Sequence, residues 1–82
     1  MAFDASTSFV VFAVASGIED LESRPVSTKS EALNAAGELR GKHAQHGILV
    51  EIIDATTMAA RARWECTGRT WVQTLSWPAE EP

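Results

Sequence analysis

The chain has one cysteine, Cys66. It cannot form an internal disulfide, which argues against a small secreted domain stapled by paired cysteines and fits a reducing, cytoplasmic setting. No apolar run approaches the ~18 residues that a membrane-spanning helix needs. "FVVFAVA" (Phe9 to Ala15), followed by Ser16, has the length of a signal-peptide core, but no lysine or arginine precedes it and Asp4 does. A secretory segment starts with positive charge, so the run reads as a strand and not as a leader. Basic residues are also scarce. Seven Lys and Arg against eleven Asp and Glu leave a net charge of −4, whereas a dedicated nucleic-acid binder carries a basic surplus that displaces phosphate counterions. The same field repels anionic membranes. A glycine-rich phosphate loop, a nucleophile elbow and a zinc-helix signature are missing too. Nothing therefore names a reaction; no cofactor and no metal is expected, and the chain leans away from catalysis.

What is present suits one small domain over residues 1–82, with flexible ends at 1–8 and 78–82. At this length the core is thin, because little of the unfolded surface can be buried. Phe9 to Ala15 is apolar on both alternations, so the strand is expected to be covered on both faces. "GIEDLESRPVS" (Gly17 to Ser27) is acidic, and Pro25 confines any strand at Leu21 to Val26 to an edge. Thr28 and Glu31 then form a capping box: each side chain can take the other's amide. A helix follows over about 29–46, with Gly47 as its C′ residue. Ala32, Ala36, Leu39 and His43 share one stripe, flanked by Leu33 and Ala35. Gly37 and Gly41 each weaken the helix by roughly 1 kcal/mol relative to alanine, so it needs tertiary support. "ILVEII" (Ile48 to Ile53) is the next strand, turning at Asp54 to Thr56.

The stretch from "STKSEALNAAGEL" to "GILVEIID" resembles several small bacterial domains of uncharacterised function. In these an extended start leads into a helix through a Ser/Thr-Lys-x-Glu-Ala pattern, then a strand ending in Asp. The likeness covers about a third of the chain. It implies the order of elements and carries over no functional residue.

"RARWECTGRTWVQTLSW" (Arg61 to Trp77) holds all three tryptophans. Thr57 to Cys66 alternates with period two, so it reads as a strand. A turn at Thr67-Gly68 would place Trp64 opposite Trp71, Ala62 opposite Gln73, Ala60 opposite Leu75 and Met58 opposite Trp77. The indoles then point inward and the arginines outward. The expected fold is an α+β two-layer sandwich, with one helix on a four- or five-stranded mixed sheet. The order is strand–(strand)–helix–strand–strand–strand, and the strands flanking the helix are parallel neighbours. Its core is Phe12, Leu39, Val50, Ile52, Trp64, Trp71, Leu75 and Trp77.

One helix cannot cover both faces of such a sheet. The other face is expected to show Leu49, Ile53, Arg61, Arg63 and Val72, an interface suited to self-association as a two-fold homodimer or to another protein partner. Two further readings compete with it. Arg61, Arg63 and Arg69 would form the phosphate-contacting side of a nucleic-acid binder, which the net charge disfavours. A pocket near Trp64, Trp71 and His43 would serve a ligand carrier or an enzyme. His43 and His46, three apart, lack further zinc ligands. Cys66 lacks a group that activates it. Glu19, Asp20 and Glu22 lack the pattern of a calcium loop.

Overall fold

In the computed structural model, which describes residues 7–15 and 19–78, the chain forms β1 (Phe9–Ala15), β2 (Glu19–Val26), α1 (Lys29–Lys42), β3 (Ile48–Asp54), β4 (Ala60–Thr67) and β5 (Thr70–Leu75). The strands make one sheet in the order β2-β1-β3-β4-β5. Residues 1–6 and 79–82, within the ends expected to be flexible, and Ser16 and Gly17, expected to close β1, lie outside the described residues. Ser8 and Pro78, within the described residues, each make a hydrogen bond. Ser8 N–H donates to the Val26 carbonyl (2.9 Å), and the Pro78 carbonyl accepts from Lys29 Nζ (3.1 Å).

The architecture is the expected helix on a sheet, but the sheet is not mixed. Every neighbouring pair is antiparallel, β1 and β3 included. The reason is β2. The acidic segment is a full strand at the sheet edge, so the chain reverses once more before the helix. α1 therefore joins β2 to β3, which run the same way with β1 between them. Pro25 sits on this edge, where a missing amide leaves no ladder bond unmade.

The capping box forms as expected. Thr28 Oγ1 accepts the Glu31 amide, and Glu31 Oε1 accepts the Thr28 amide, both at 3.1 Å. The helix stops at Lys42, four residues early. His43 leaves helical geometry (φ −118°, ψ 38°) as its amide closes the last turn on the Leu39 carbonyl (2.9 Å). Gly47 does not cap the helix. Its left-handed φ of 89° turns the chain into β3, and its amide joins the Cys66 carbonyl of β4 (3.0 Å). α1 packs mainly on β1, then on β3 and β2. Ala32, Ala35, Ala36 and Leu39 are buried, whereas Leu33 stays exposed.

Both hairpins among the last three strands differ in register from the alternation-based reading. The turn between β4 and β5 is Gly68-Arg69, since Thr67 pairs with Thr70. Gly68 has φ +68°, the geometry that a glycine-first hairpin turn requires and that a β-branched Thr67 would resist. Trp71 consequently faces Cys66, and Trp64 faces Gln73, so no facing tryptophan pair forms. The β3–β4 connection is longer than three residues. Asp54 Oδ1 accepts the Thr56 and Thr57 amides (2.8 and 3.0 Å), Met58 takes φ 64°, and β4 begins only at Ala60. Met58, expected inward, is 63% exposed.

Three bulges explain the remaining departures. The registers skip Leu21 in β2, Arg61 in β4 and Thr74 in β5, each an extra residue with none opposite it on the neighbouring strand. A bulge inverts the in-out alternation beyond it. Leu75 thus pairs with Arg63 and leaves the core face. Phe12 is displaced from the expected core for a simpler reason. It alternates with the buried Val11 and Ala13 and lies on the opposite side of β1. Leu39, Val50 and Ile52 are fully buried, as expected, with Trp64 and Trp77 each 9% exposed and Trp71 packed against their cluster. Trp77 reaches the core from beyond β5, meeting the Phe9 ring edge-on at 4.9 Å with Lys29 Nζ over its own ring.

Candidate interaction surface

The sheet face away from α1 is built from rungs that cross the strands. Ser23, Phe12, Glu51, Arg63 and Leu75 form one; Asp20, Val14, Leu49, Glu65 and Val72 form the next. Ile53 follows beside Val10 and Ala60. No helix lies over this face among the described residues, because α1 packs on the other side. Apolar side chains nonetheless dominate it. Phe12, Leu49, Ile53 and Leu75 are half-buried and Val72 is 51% exposed. Between the two long rungs lies a shallow depression of about 350 Å³, lined by Phe12, Val14, Leu49, Glu51, Arg63 and Glu65.

Four of the five residues expected on this face are there: Leu49, Ile53, Arg63 and Val72. Arg61 is not. As the bulged residue of β4 it turns to the end of the sheet, where its Nη2 meets Asp54 Oδ2 at 3.0 Å. The Asp54 carboxyl is held below its ordinary pKa, first by the Thr57 amide, then by Arg61 and the Thr56 amide. Arg63 donates through Nε to Glu51 Oε2 at 2.6 Å, directly across the strands. Glu65, exposed on the same strand, has no hydrogen-bonding or ionic partner among the described residues. Glu51 and Glu65, which alternation places beside the expected members, are on the face as well, whereas Phe12 and Leu75 are members that alternation did not select. Phe12 belongs to a strand apolar on both faces, so its side was not readable. Leu75 was hidden by the bulge.

The other candidates have structural employment. Glu22 collects Lys42 Nζ (2.9 Å), His43 Nε2 (3.2 Å) and Arg24 (2.9 Å), tying β2 to the end of α1. Arg24 also pairs with Glu38. Hydrogen bonds from Lys42, then His43 and Arg24, lower the Glu22 pKa from 4.5 to about 2. A carboxyl depressed in the fold stabilises it above its unfolded pKa, and that contribution is lost as pH falls through the folded value. Acid titration should show this directly. The Tm advantage of the wild type over Glu22→Gln should hold above pH 4.5 and shrink towards pH 2. A gap that stays constant across that window would remove Glu22 from the acid response.

His46 Nδ1 accepts the Gly68 amide at 2.9 Å and so braces the hairpin turn. Cys66 is buried, its thiol 3.6 Å from the Gly68 carbonyl. Glu19 and Asp20 are exposed at the start of β2. Among the described residues no group of three or more His, Cys, Asp or Glu is placed to hold a metal ion. The space near Trp64 and Trp71 is occupied by the helix. The Arg40 guanidinium lies 4.1 Å over the Trp64 ring, and Trp71 Nε1 donates to the Arg40 carbonyl (3.0 Å). Burial pulls Arg40 below the ordinary guanidinium pKa. Of the three arginines proposed for phosphate contact, two are held by carboxylates and the third, Arg69, sits in the exposed hairpin turn. The depression on the uncovered sheet face is thus the site in which apolar surface and available charge come together. No helix among the described residues is long and apolar enough to cross a membrane. No protein-family model matches the chain, and neither a curated protein nor a solved structure is significantly similar to it.

Proposed function

We propose that this protein is a small non-enzymatic interaction domain that acts as a homodimer through the sheet face opposite α1, in a cytoplasmic setting. One observation carries the reading. A five-stranded sheet with Phe12, Leu49, Ile53, Val72 and Leu75 on one side has no described layer over that side. Apolar faces of this kind on small proteins mark association sites, and two-fold symmetry is the commonest way to satisfy one. The employment of Arg61 and Arg63 by Asp54 and Glu51 argues against nucleic acid as the occupant. The packing of Trp64 under Arg40 argues against a ligand pocket there.

Sedimentation equilibrium at micromolar concentration tests the reading. The wild type should run at twice the monomer mass. Leu49→Asp puts a carboxylate on the face directly across from Glu65 and should run as a folded monomer. A monomeric wild type, or a variant unchanged in both mass and stability, would defeat it.

A further inference from the structure

The face carries a charge pattern that selects one way for two copies to meet. The Glu65 carboxylate has no partner among the described residues. Arg63 spends Nε on Glu51, and its terminal nitrogens have no partner among the described residues, with the side chain 38% exposed. The two residues sit on the same side of β4, on adjacent rungs. We propose that the occupant of the face is a second copy, related by a two-fold axis that crosses the depression between the two long rungs, perpendicular to the strands. This rests on the homodimer reading and adds its register.

Such an axis keeps every strand over its own counterpart, reversed in direction. The Phe12–Glu51–Arg63–Leu75 rung of one copy then lies over the Val14–Leu49–Glu65–Val72 rung of the other. Phe12 lies over Val14, itself only 6% exposed, Glu51 over Leu49, Arg63 over Glu65 and Leu75 over Val72, each twice by symmetry. The arginine enters the partner copy's depression, which offers about 350 Å³ of room, and completes the pairing that each chain leaves open. Shifting the copies by one rung in either direction would put Glu65 over Glu65 or Arg63 over Arg63, a juxtaposition of like charges that selects against it. The sheets remain near-aligned, the ordinary geometry of stacked antiparallel sheets. The size is adequate: the molecule is a slab 19 Å thick with faces of 37 by 30 Å, comparable to the ~800 Å² per partner that a stable interface buries.

The dimer dissociation constant tests it in a small set of variants. Glu65→Arg should leave the fold intact, since Glu65 has no partner among the described residues, and sets arginine against Arg63 of the second copy. Dimerisation should weaken about tenfold or more. The triple variant E51R/R63E/E65R restores both the internal and the intersubunit pairs with reversed signs and should return the constant to within a few-fold of wild type. If the triple variant fails to fold, salt supplies the readout. The wild type's advantage over Glu65→Gln should shrink as salt rises, because the pair is partly screened. A dimer that ignores Glu65→Arg but is broken by Leu49→Asp would overturn the register and leave the face standing. A dimer indifferent to both would overturn both.

Discussion

Replacing Trp64 with alanine should destabilise the protein by about 3–5 kcal/mol, the usual cost of deleting a buried aromatic side chain. Against a total of about 5–15 kcal/mol for a domain, that is enough to leave the variant largely unfolded on warming. Two terms add at this position. The indole spans the inner face of β4 beside Val50 and Gln73, so its removal opens the core where β3, β4 and β5 meet. It is also the platform for Arg40. That guanidinium is partly desolvated, and its Nη1 is buried without a hydrogen-bond partner among the described residues. The ring face therefore compensates for lost water, an interaction worth about 2 kcal/mol or more when desolvated. Urea unfolding of Trp64→Ala, Arg40→Ala and the double variant measures the coupling. A positive coupling energy above about 0.5 kcal/mol is expected for groups in contact. Additive effects would mean that Arg40 and Trp64 are neighbours without interaction.

Leu39→Ala should cost about 2–5 kcal/mol by the same measure of lost burial plus residual cavity. Its position in the helix puts the value towards the top of that range. Ala32, Ala35 and Ala36 give α1 close approach to the sheet but little volume. Leu39 is the one large side chain of the helix that is fully buried. The other α1 members of its core are only the alanines Ala32, Ala35 and Ala36, and the larger members come from β1, β3, β4 and Trp77, so no neighbouring side chain of α1 can fill the space it leaves. The helix carries Gly37 and Gly41 in its interior and has little intrinsic stability to fall back on. Circular dichroism on melting should show helix and sheet lost together at a lower temperature. A loss under about 1 kcal/mol would mean that the cap at Thr28 and the Glu22 cluster hold α1 in place without Leu39.

Local chemistry made the elements legible. A threonine three residues before a glutamate marks where the helix begins, and a proline amid acidic residues marks an edge. Alternation at 49, 51 and 53 and at 63 and 65 finds most of the uncovered face. What stayed hidden is non-local or a break in period. The direction of β1 relative to β3 depends on whether the chain reverses at Leu21 to Val26, and that stretch has poor strand composition. Its ladder to β1, and the fastening of Glu22 and Arg24 to α1, override that composition. Register in the last two hairpins depends on which residue takes a left-handed φ. Gly68 is the natural one, but it serves the first position of its turn and not the second. At the other turn Met58 adopts φ 64°, which no residue preference would indicate. The bulges at Arg61 and Thr74 then carry residues across faces: Arg61 away from the candidate site, Leu75 into it.

Those bulges have a consequence for growth. An unprotected sheet edge can recruit further strands without limit, the route to fibrils. Both outer strands here are interrupted, β2 by Leu21 and β5 by Thr74. β2 adds Pro25 and four charged side chains. A uniform ladder can extend over only part of either edge. Stacking through the faces uses up a copy's single apolar side, whereas edge addition would leave a fresh end each time. With the edges blunted and one face already beneath the helix, the proposed face-to-face dimer would close on itself after the second chain.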